Sequence, residues 1–158
     1  MTLVLPQIFY MSGEKNNSTN KEAIKKNLDS FFSALSTKDI KQMMAHYADE
    51  VIVFDVKPPF QTKGAVAWKH VWEASLPFFP ENFRVEIRDL VIHADGNTGF
   101  AFYLFRLIGA EMDHPAMQTW MRATTGYKLQ NGKWKIVHDH ASLPFSPHTN
   151  QAVFSLEL

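Results

Sequence analysis

The chain has no cysteine among its 158 residues. This absence excludes disulfides, thiol nucleophiles and thiolate metal sites, and it makes a reducing cytoplasm the expected location. An excess of either charge is also missing, because 16 basic residues balance 16 acidic residues. A chain without net charge has no overall field that attracts nucleic acid or an anionic membrane, so we expect neither partner.

Long hydrophobic runs are scarce as well. The apolar stretch at residues 3–11 is interrupted by Pro6 and lacks a basic flank. It is too short for a membrane span and has the wrong flank for a signal peptide. Neither a glycine-rich phosphate loop nor a G-x-S-x-G motif is present, so nucleotide binding and serine hydrolysis have no support, and no cofactor is predicted. We expect a flexible segment at residues 1–18 and a single domain at residues 19–158.

Aromatic residues are what the chain has in quantity: 13 Phe, four Trp and four Tyr. Hydrophobic residues make up 46% of the sequence and charged residues 20%, which is typical of a globular domain with a substantial core. Aromatic side chains fill such cores, and they also line pockets for apolar ligands.

The hydrophobic spacing predicts helices first and strands afterwards. A capping box at residues 19–22 precedes apolar residues at helical spacing through Leu35. A second short helix is expected at residues 39–47 and a third after Gly64, with a buried strand at residues 51–55 between them. Strands are then predicted at residues 83–93, 100–109, 117–130 and 133–142. This order predicts an α+β domain, in which a curved antiparallel sheet wraps around three N-terminal helices.

An Asn131-Gly132 pair separates the last two predicted strands and is a strong signal for a tight hairpin. The strand that follows, G-K-W-K-I-V-H-D-H-A-S-L-P at residues 132–144, resembles the closing strand of the SnoaL-like branch of the ketosteroid-isomerase and nuclear-transport-factor-2 superfamily. It is also similar to the association domain of calcium/calmodulin-dependent protein kinase II. The resemblance implies a cone-shaped, cystatin-like fold with a pocket inside the cone.

Asp55 is the first candidate for chemistry, because it ends an apolar strand beneath the aromatic third helix. The resemblance places it where ketosteroid isomerase has its aspartate base. A desolvated carboxylate there would have a raised pKa and would serve as a general base, although Asp55 could equally cap the turn. The isomerase's oxyanion tyrosine corresponds to Phe31 and its oxyanion acid to Thr125. Steroid isomerisation by that mechanism is therefore not expected.

Arg106 is the second candidate, since an arginine within an apolar strand needs a partner. Strand alternation and the resemblance direct it into the cone, where Asp55 and Asp139 would be its mates. The three would form either a structural ion network or a site in which Arg106 binds an anion. They are the predicted catalytic residues. The predicted ligand-binding residues are Tyr47, Trp68, Trp72, Phe102, Met121 and Thr125.

His138 and His140 lie on one face of the last strand, but no third ligand is fixed nearby, so no metal site is predicted. We expect the outer sheet face to form a homodimer through Trp120, Arg122, Thr124, Trp134, Ile136, His138 and His140.

Two functions follow from these residues. The first is a small-molecule pocket protein acting as a cofactor-independent isomerase, cyclase or dehydratase on a mainly apolar carbonyl compound. Asp55 would be its base, and Tyr47 is a candidate acid. The alternative is a non-catalytic dimeric module for ligand binding or assembly.

Overall fold

The computed structural model describes residues 8–109 and 119–154, with side chains from residue 16 onward. The helices are α1 (Ile8–Ser36), α2 (Ile40–Met44) and α3 (Ala65–Ser75), and a 3-10 helix, Leu76–Phe78, follows α3. Over the part of the chain described, no helix combines the length and apolarity that a membrane crossing needs.

Six strands form the main sheet. They are β1 (Tyr47–Phe54), β2 (Thr62–Lys63), β3 (Phe83–Asp95), β4 (Thr98–Gly109), β5 (Met121–Gln130) and β6 (Lys133–Ser142), in the spatial order β2-β1-β6-β5-β4-β3. The α+β prediction is confirmed. The sheet is mixed rather than wholly antiparallel, because β1 and β6 run parallel. Two short strands, β7 (Phe145–Ser146) and β8 (Gln151–Ala152), pair separately.

Helix α1 begins at Ile8, so the predicted start at Thr19 is wrong. The backbone is already helical when it reaches Thr19, and the capping box therefore does not act as a helix start. The predicted flexible segment falls partly on residues 1–7, which lie outside the described residues.

The core lies between the helices and one face of the sheet. Ile24, Leu28, Phe31 and Leu35 follow helical spacing on α1, and all four are buried, as predicted. A hydrogen bond of 2.8 Å from the Asn27 amide nitrogen to the Trp134 carbonyl oxygen fixes α1 over the end of the sheet.

The turn between β5 and β6 has the predicted form. Asn131 has a φ of 50° and Gly132 a φ of 75°. Two successive residues in the left-handed region make the type I′ turn that Asn-Gly favours. The turn thereby holds the antiparallel strands β5 and β6 together.

A β-bulge interrupts β6. Gly126 of β5 faces His138, whereas the next residue, Tyr127, faces Ile136, so Val137 is an extra residue on β6. The side chains before and after Val137 therefore follow different alternations.

Because of this bulge, part of the predicted outer face is wrong. Trp134 and Ile136 are buried in the core rather than on the outer face. Residues after the bulge keep the predicted orientation, with Asp139 on the core face and the two histidines His138 and His140 on the other.

The side chains of β4 lie on the opposite faces from those predicted. Its Ala101 and Tyr103 lie opposite Thr125 and Ala123 of β5, and all four are buried on the core face. Because β4 carries large apolar residues on both faces, alternation alone does not show which face of the strand is in the core. Its pairing with β5 determines that Phe102 lies outside.

β3 is the last strand at one side of the main sheet, and its pairing with β4 shifts register between Arg88 and Val91. Asp89 lies in this shift with a left-handed φ of 53°. The irregularity bends the strand partway along its length.

Candidate functional site

A carboxyl group occupies the centre of the core face of the sheet. The Tyr47 hydroxyl donates to Oδ2 of Asp139 at 2.9 Å, and the Thr125 hydroxyl donates to Oδ1 at 3.0 Å. The Tyr103 hydroxyl lies 3.2 Å from Oγ1 of Thr125. We call these four residues the Asp139 network. They come from β1, β4, β5 and β6, so the sheet itself builds the cluster.

Burial raises the pKa of the Asp139 carboxyl. The hydrogen bonds from Tyr47 and Thr125 act in the opposite direction, and the charge of Asp55 adds to the rise. Asp139 is nevertheless only partly buried. A carboxyl with a raised pKa among buried hydroxyls is a candidate for a functional group.

The tyrosines of the network remain neutral phenols. Burial, followed by the nearby charge of Asp139, raises the pKa of Tyr47 well above its ordinary value. The same two causes raise the pKa of Tyr103. Both hydroxyls therefore act as hydrogen-bond donors and not as bases.

Asp55 stands immediately after β1, on the same side of the sheet as Asp139. Val53 lies opposite Asp139 in the parallel register, and Asp55 follows Val53 by two residues. Burial raises the pKa of Asp55, against the lowering effect of Lys57. The Val56 N–H donates to Oδ1 at 2.7 Å, and the Lys57 ammonium lies 3.9 Å from Oδ2. Asp55 therefore stabilises the turn that follows β1. Its side chain is 20% exposed, so solvent still reaches it.

Aromatic rings cover this face. Trp68 and Trp72 of α3 are 5.4 Å apart between ring centroids, and the Trp68 ring lies 6.4 Å from that of Tyr47. Phe31, at the position that corresponds to the isomerase's oxyanion tyrosine, lies 5.7 Å from the Tyr47 ring. Phe31 has no hydroxyl, but the neighbouring Tyr47 has one. Met121 is also buried on the core-facing side of β5.

Arg106 is on the other face of the sheet, and its predicted convergence with Asp55 and Asp139 is wrong. It lies opposite Glu86 on β3, with its Nε 2.9 Å and its Nη2 2.8 Å from the same Oε2. Its guanidinium also lies 4.6 Å from the centroid of the Trp120 ring. A surface acid and an indole satisfy this arginine, which is therefore absent from the site.

Phe102 is also misplaced by the prediction. It is 41% exposed on the outer face, where its ring stacks with those of His93 and Phe100. The residue that β4 contributes to the core face here is Tyr103. Sequence reasoning missed Tyr103 because the opposite register was assigned to β4. The pairing of β4 with Thr125 would have indicated it.

Three buried donors near the network have no acceptor within the described residues. They are the indole nitrogens of Trp68 and Trp72 and the hydroxyl of Tyr127. Tyr127 is wholly buried, and its electrostatic interactions with Tyr103 and Asp139 add to the effect of burial in raising its pKa. Buried donors without partners are uncommon in proteins.

The histidines lie outside this cluster. The His138 ring nitrogen Nδ1 is 2.8 Å from the Ile52 carbonyl oxygen, and both His138 and His140 contact the Phe54 ring on the outer face. Over residues 8–109 and 119–154, no three His, Asp or Glu side chains are arranged to hold a metal ion.

Two depressions lie elsewhere on the surface. One of about 300 Å³ separates α1 from β3 and is lined in part by Ser33 and Arg84. The other, of about 490 Å³, lies beside the β3–β4 turn and includes Lys21 and His93. Neither is lined by Asp55 or Asp139, so the candidate site rests on the Asp139 network and its aromatic cover.

The fold is that of the NTF2-like proteins. An NTF2-like protein of unknown function from Pseudomonas putida KT2440 superimposes with a TM-score of 0.83 at 30% identity, over 89% of this chain and 98% of the other. A protein from Streptomyces avermitilis that carries the provisional name of dehydratase gives a TM-score of 0.68 at 16% identity, over 82% and 99%. A provisionally named ketosteroid isomerase from Parabacteroides distasonis gives 0.64 at 16% identity, over 77% and 86%.

The sequence also identifies a particular family among the NTF2-like proteins. Residues 24–146 match the model of the SnoaL-like domain, and the chain belongs to that family. The resemblance stated from the closing strand is thereby confirmed. Among curated proteins, none matches the chain.

Proposed function

We propose that this SnoaL-like protein is a cofactor-independent enzyme that moves a proton on a mainly apolar carbonyl compound, as an isomerase, cyclase or dehydratase does. The observation that carries the proposal is the pair of carboxyls with raised pKa values, Asp55 and Asp139, on one aromatic face of the sheet. A raised pKa brings a carboxylate closer to the basicity that general base catalysis near neutral pH requires.

Asp55 is the better base of the two. Both oxygens of Asp139 accept hydrogen bonds from buried hydroxyls, which hold it in place. Asp55 accepts hydrogen bonds from the backbone N–H groups of Val56 and Lys57 within its own turn, and 20% of its side chain is exposed. We therefore assign the substrate proton to Asp55, and Asp139 acts as the fixed neighbour whose network organises the site.

The test uses 5-nitrobenzisoxazole, an apolar heterocycle that reports on a base in an apolar site. The base takes its single acidic C–H proton, the C–H electrons form a nitrile, and the N–O bond breaks to release a coloured phenolate. We expect turnover above buffer background, with a rate that rises with pH through the raised pKa of Asp55. Asp55→Asn should lower that rate by about a hundredfold or more.

Asp49→Asn is the matched control, because Asp49 is an exposed acid on the same strand. It should leave the rate unchanged. Turnover that is absent from the wild type, or equal in wild type and Asp55→Asn, would overturn the assignment of Asp55 as a base.

A second candidate, the non-catalytic dimeric module, has support from the outer face. Two rows of facing residues cross five strands there, and we call them the outer band. One row is His93, Phe100, Gly126, His138 and Ile52, and the other is Val91, Phe102, Thr124, His140 and Phe54. Five of these are large hydrophobic side chains exposed to solvent. A band of this kind on a monomer is unusual.

We propose that the outer band forms the homodimer contact. It keeps the histidines and Thr124 of the predicted interface and replaces Trp134 and Ile136, which are buried, by three phenylalanines. Dimerisation is compatible with both candidate functions. A dimer that binds apolar ligands without turning over the probe would favour the module.

A further inference from the structure

We propose that the indole N–H of Trp68 donates a hydrogen bond to an oxygen atom of the ligand, beside the Tyr47 hydroxyl. This inference rests on the proposed function and deepens it, because it states how a carbonyl compound would be oriented. The carbonyl oxygen would point towards α3, and the carbon next to it towards Asp55.

The first observation is an unused donor. Trp68 is 5% exposed, and its Nε1 atom has no acceptor within the described residues. An indole nitrogen donates and cannot accept, so only an acceptor can satisfy it. Leaving such a donor unpaired in the protein interior is costly, and a ligand oxygen removes that cost.

The second observation is the direction of that donor. The Trp68 ring meets the Tyr47 ring edge-on, with an angle of 72° between the planes. Burial and Asp139 raise the pKa of Tyr47, and Trp68 opposes this rise as a hydrogen-bond donor that faces the phenolic oxygen does. The indole N–H is therefore directed at the hydroxyl but does not reach hydrogen-bond geometry with it. An acceptor placed there would lie next to the Tyr47–Asp139 hydrogen bond.

Trp72 provides the contrast within the same helix. Its indole nitrogen is also without an acceptor, but its ring packs against Phe31 and Phe79. Its ring neighbours among the described residues are the aromatic rings of Phe31, Trp68 and Phe79. Trp72 is thus a second tryptophan of the aromatic cover, four positions after Trp68 on α3, and it serves as the matched control.

The donor also fits the proposed reaction. When the Asp55 carboxylate takes a proton from the carbon next to a carbonyl, the electron pair of the broken C–H bond moves to the carbonyl oxygen and forms an enolate. The proton stays on Asp55 until it returns to carbon. A fixed N–H at the oxygen stabilises the charge that develops there. Arg106 cannot do this from the outer face, and Trp68 replaces it in that role.

The experiment compares two ligands that differ by one oxygen, 1-indanone and indane. Their dissociation constants are measured by ligand-observed NMR with the wild type, Trp68→Phe and Trp72→Phe. Trp68→Phe should weaken 1-indanone about fivefold, the usual worth of one hydrogen bond, and leave indane unchanged. Trp72→Phe should change both ligands by the same factor.

A second measurement does not depend on the stability of a variant. In the wild type, the indole N–H resonance of Trp68 should move downfield with 1-indanone and stay in place with indane. The proposal is overturned if Trp68→Phe weakens both ligands equally, if it weakens neither, or if neither ligand binds the wild type. Failure of Asp55 to act as a base leaves this binding result intact, so the two proposals fail separately.

Discussion

The hydroxyl of Tyr47 donates a hydrogen bond of 2.9 Å to Oδ2 of Asp139 across the parallel pair of strands β1 and β6. The parallel pairing brings the start of the first strand to the last long strand, and the bond is made in the interior of the domain. Tyr47 contacts Phe31 and Trp68 on its ring and Asp139 at its tip. One side chain thus joins the aromatic cover to the carboxyl that it covers.

Replacing Tyr47 by Phe should raise the pKa of Asp139 further, because the hydrogen bond from Tyr47 lowers it. The lost bond should also reduce the free energy of unfolding by roughly 1–2 kcal/mol, as the removal of a buried donor to a carboxylate does. Carbon-13 NMR titration of the aspartate carboxyls measures the first effect, and urea unfolding measures the second.

Tyr127→Phe is the control for that substitution. The Tyr127 hydroxyl is buried without a partner in the described residues, so its removal should leave stability unchanged or increased. A loss as large as that of Tyr47→Phe would show that Tyr127 has a partner of its own and that the two hydroxyls are equivalent.

Asp139→Asn should change the pH dependence of stability in one direction. The pKa of Asp139 is raised on folding from its ordinary value of 3.8, so between these two values the folded state binds more protons than the unfolded state. The contribution of Asp139 to the free energy of unfolding therefore decreases as the pH rises from 3.8 through the raised pKa.

The measurement is the difference in unfolding free energy between wild type and Asp139→Asn over that range. Using the difference removes the acids whose pKa is lowered, such as Glu50 and Glu86. A difference that increases with pH would mean that the pKa of Asp139 is lowered, and that the carboxyl belongs to a stabilising ion pair.

Phe102→Glu should convert the proposed dimer to a monomer, because it places a charge in the middle of the outer band. Phe60→Glu is the control, since Phe60 is fully exposed in the loop between β1 and β2 and is not part of the outer band. Sedimentation velocity at micromolar concentration measures both. A wild type that sediments as a monomer, or a Phe102→Glu variant that remains a dimer, contradicts the interface.

Arg106→Met should have only a small effect on thermal stability, similar to that of Arg122→Met on the same face. Arg106 is paired with one partly exposed acid, and exposed ion pairs contribute little. A loss of about 3–5 kcal/mol in the free energy of unfolding, typical of a broken buried ion pair, would instead support the predicted network of Arg106 with Asp55 and Asp139. Differential scanning calorimetry of the two variants separates these outcomes.

The sequence predicts the fold well where spacing is periodic and the turn residues are specific. The apolar residues of α1 and the left-handed Asn131-Gly132 pair are of this kind. Alternation together with the resemblance also places Asp139 and Thr125 correctly, and the two residues face each other on the same side of the bulge. Alternation fails across the extra residue Val137, so Trp134, on the hairpin side of the bulge, lies on the other face from the one predicted.

The site is only partly predictable for a related reason. Asp55 directly follows a strand that is recognisable from its apolar residues. Tyr47, expected at the end of the second helix, instead begins that strand, because the helix ends at Met44. Arg106 lies in a strand with aromatic residues on both faces, and there the hydrophobic pattern does not say which face is inside. Only the hydrogen-bonded pairing with β5 decides it, and that pairing joins residues distant in sequence.

The register shift in β3 has a consequence for how copies of the chain can associate. A long, straight edge strand invites pairing with the same strand of another copy, and repeated pairing of this kind leads to open filaments. In β3, the left-handed Asp89 bends the edge, and Arg84, Glu86 and Arg88 place charges along it. Growth along the sheet is therefore discouraged, whereas the association that we propose through the outer band would give a closed pair.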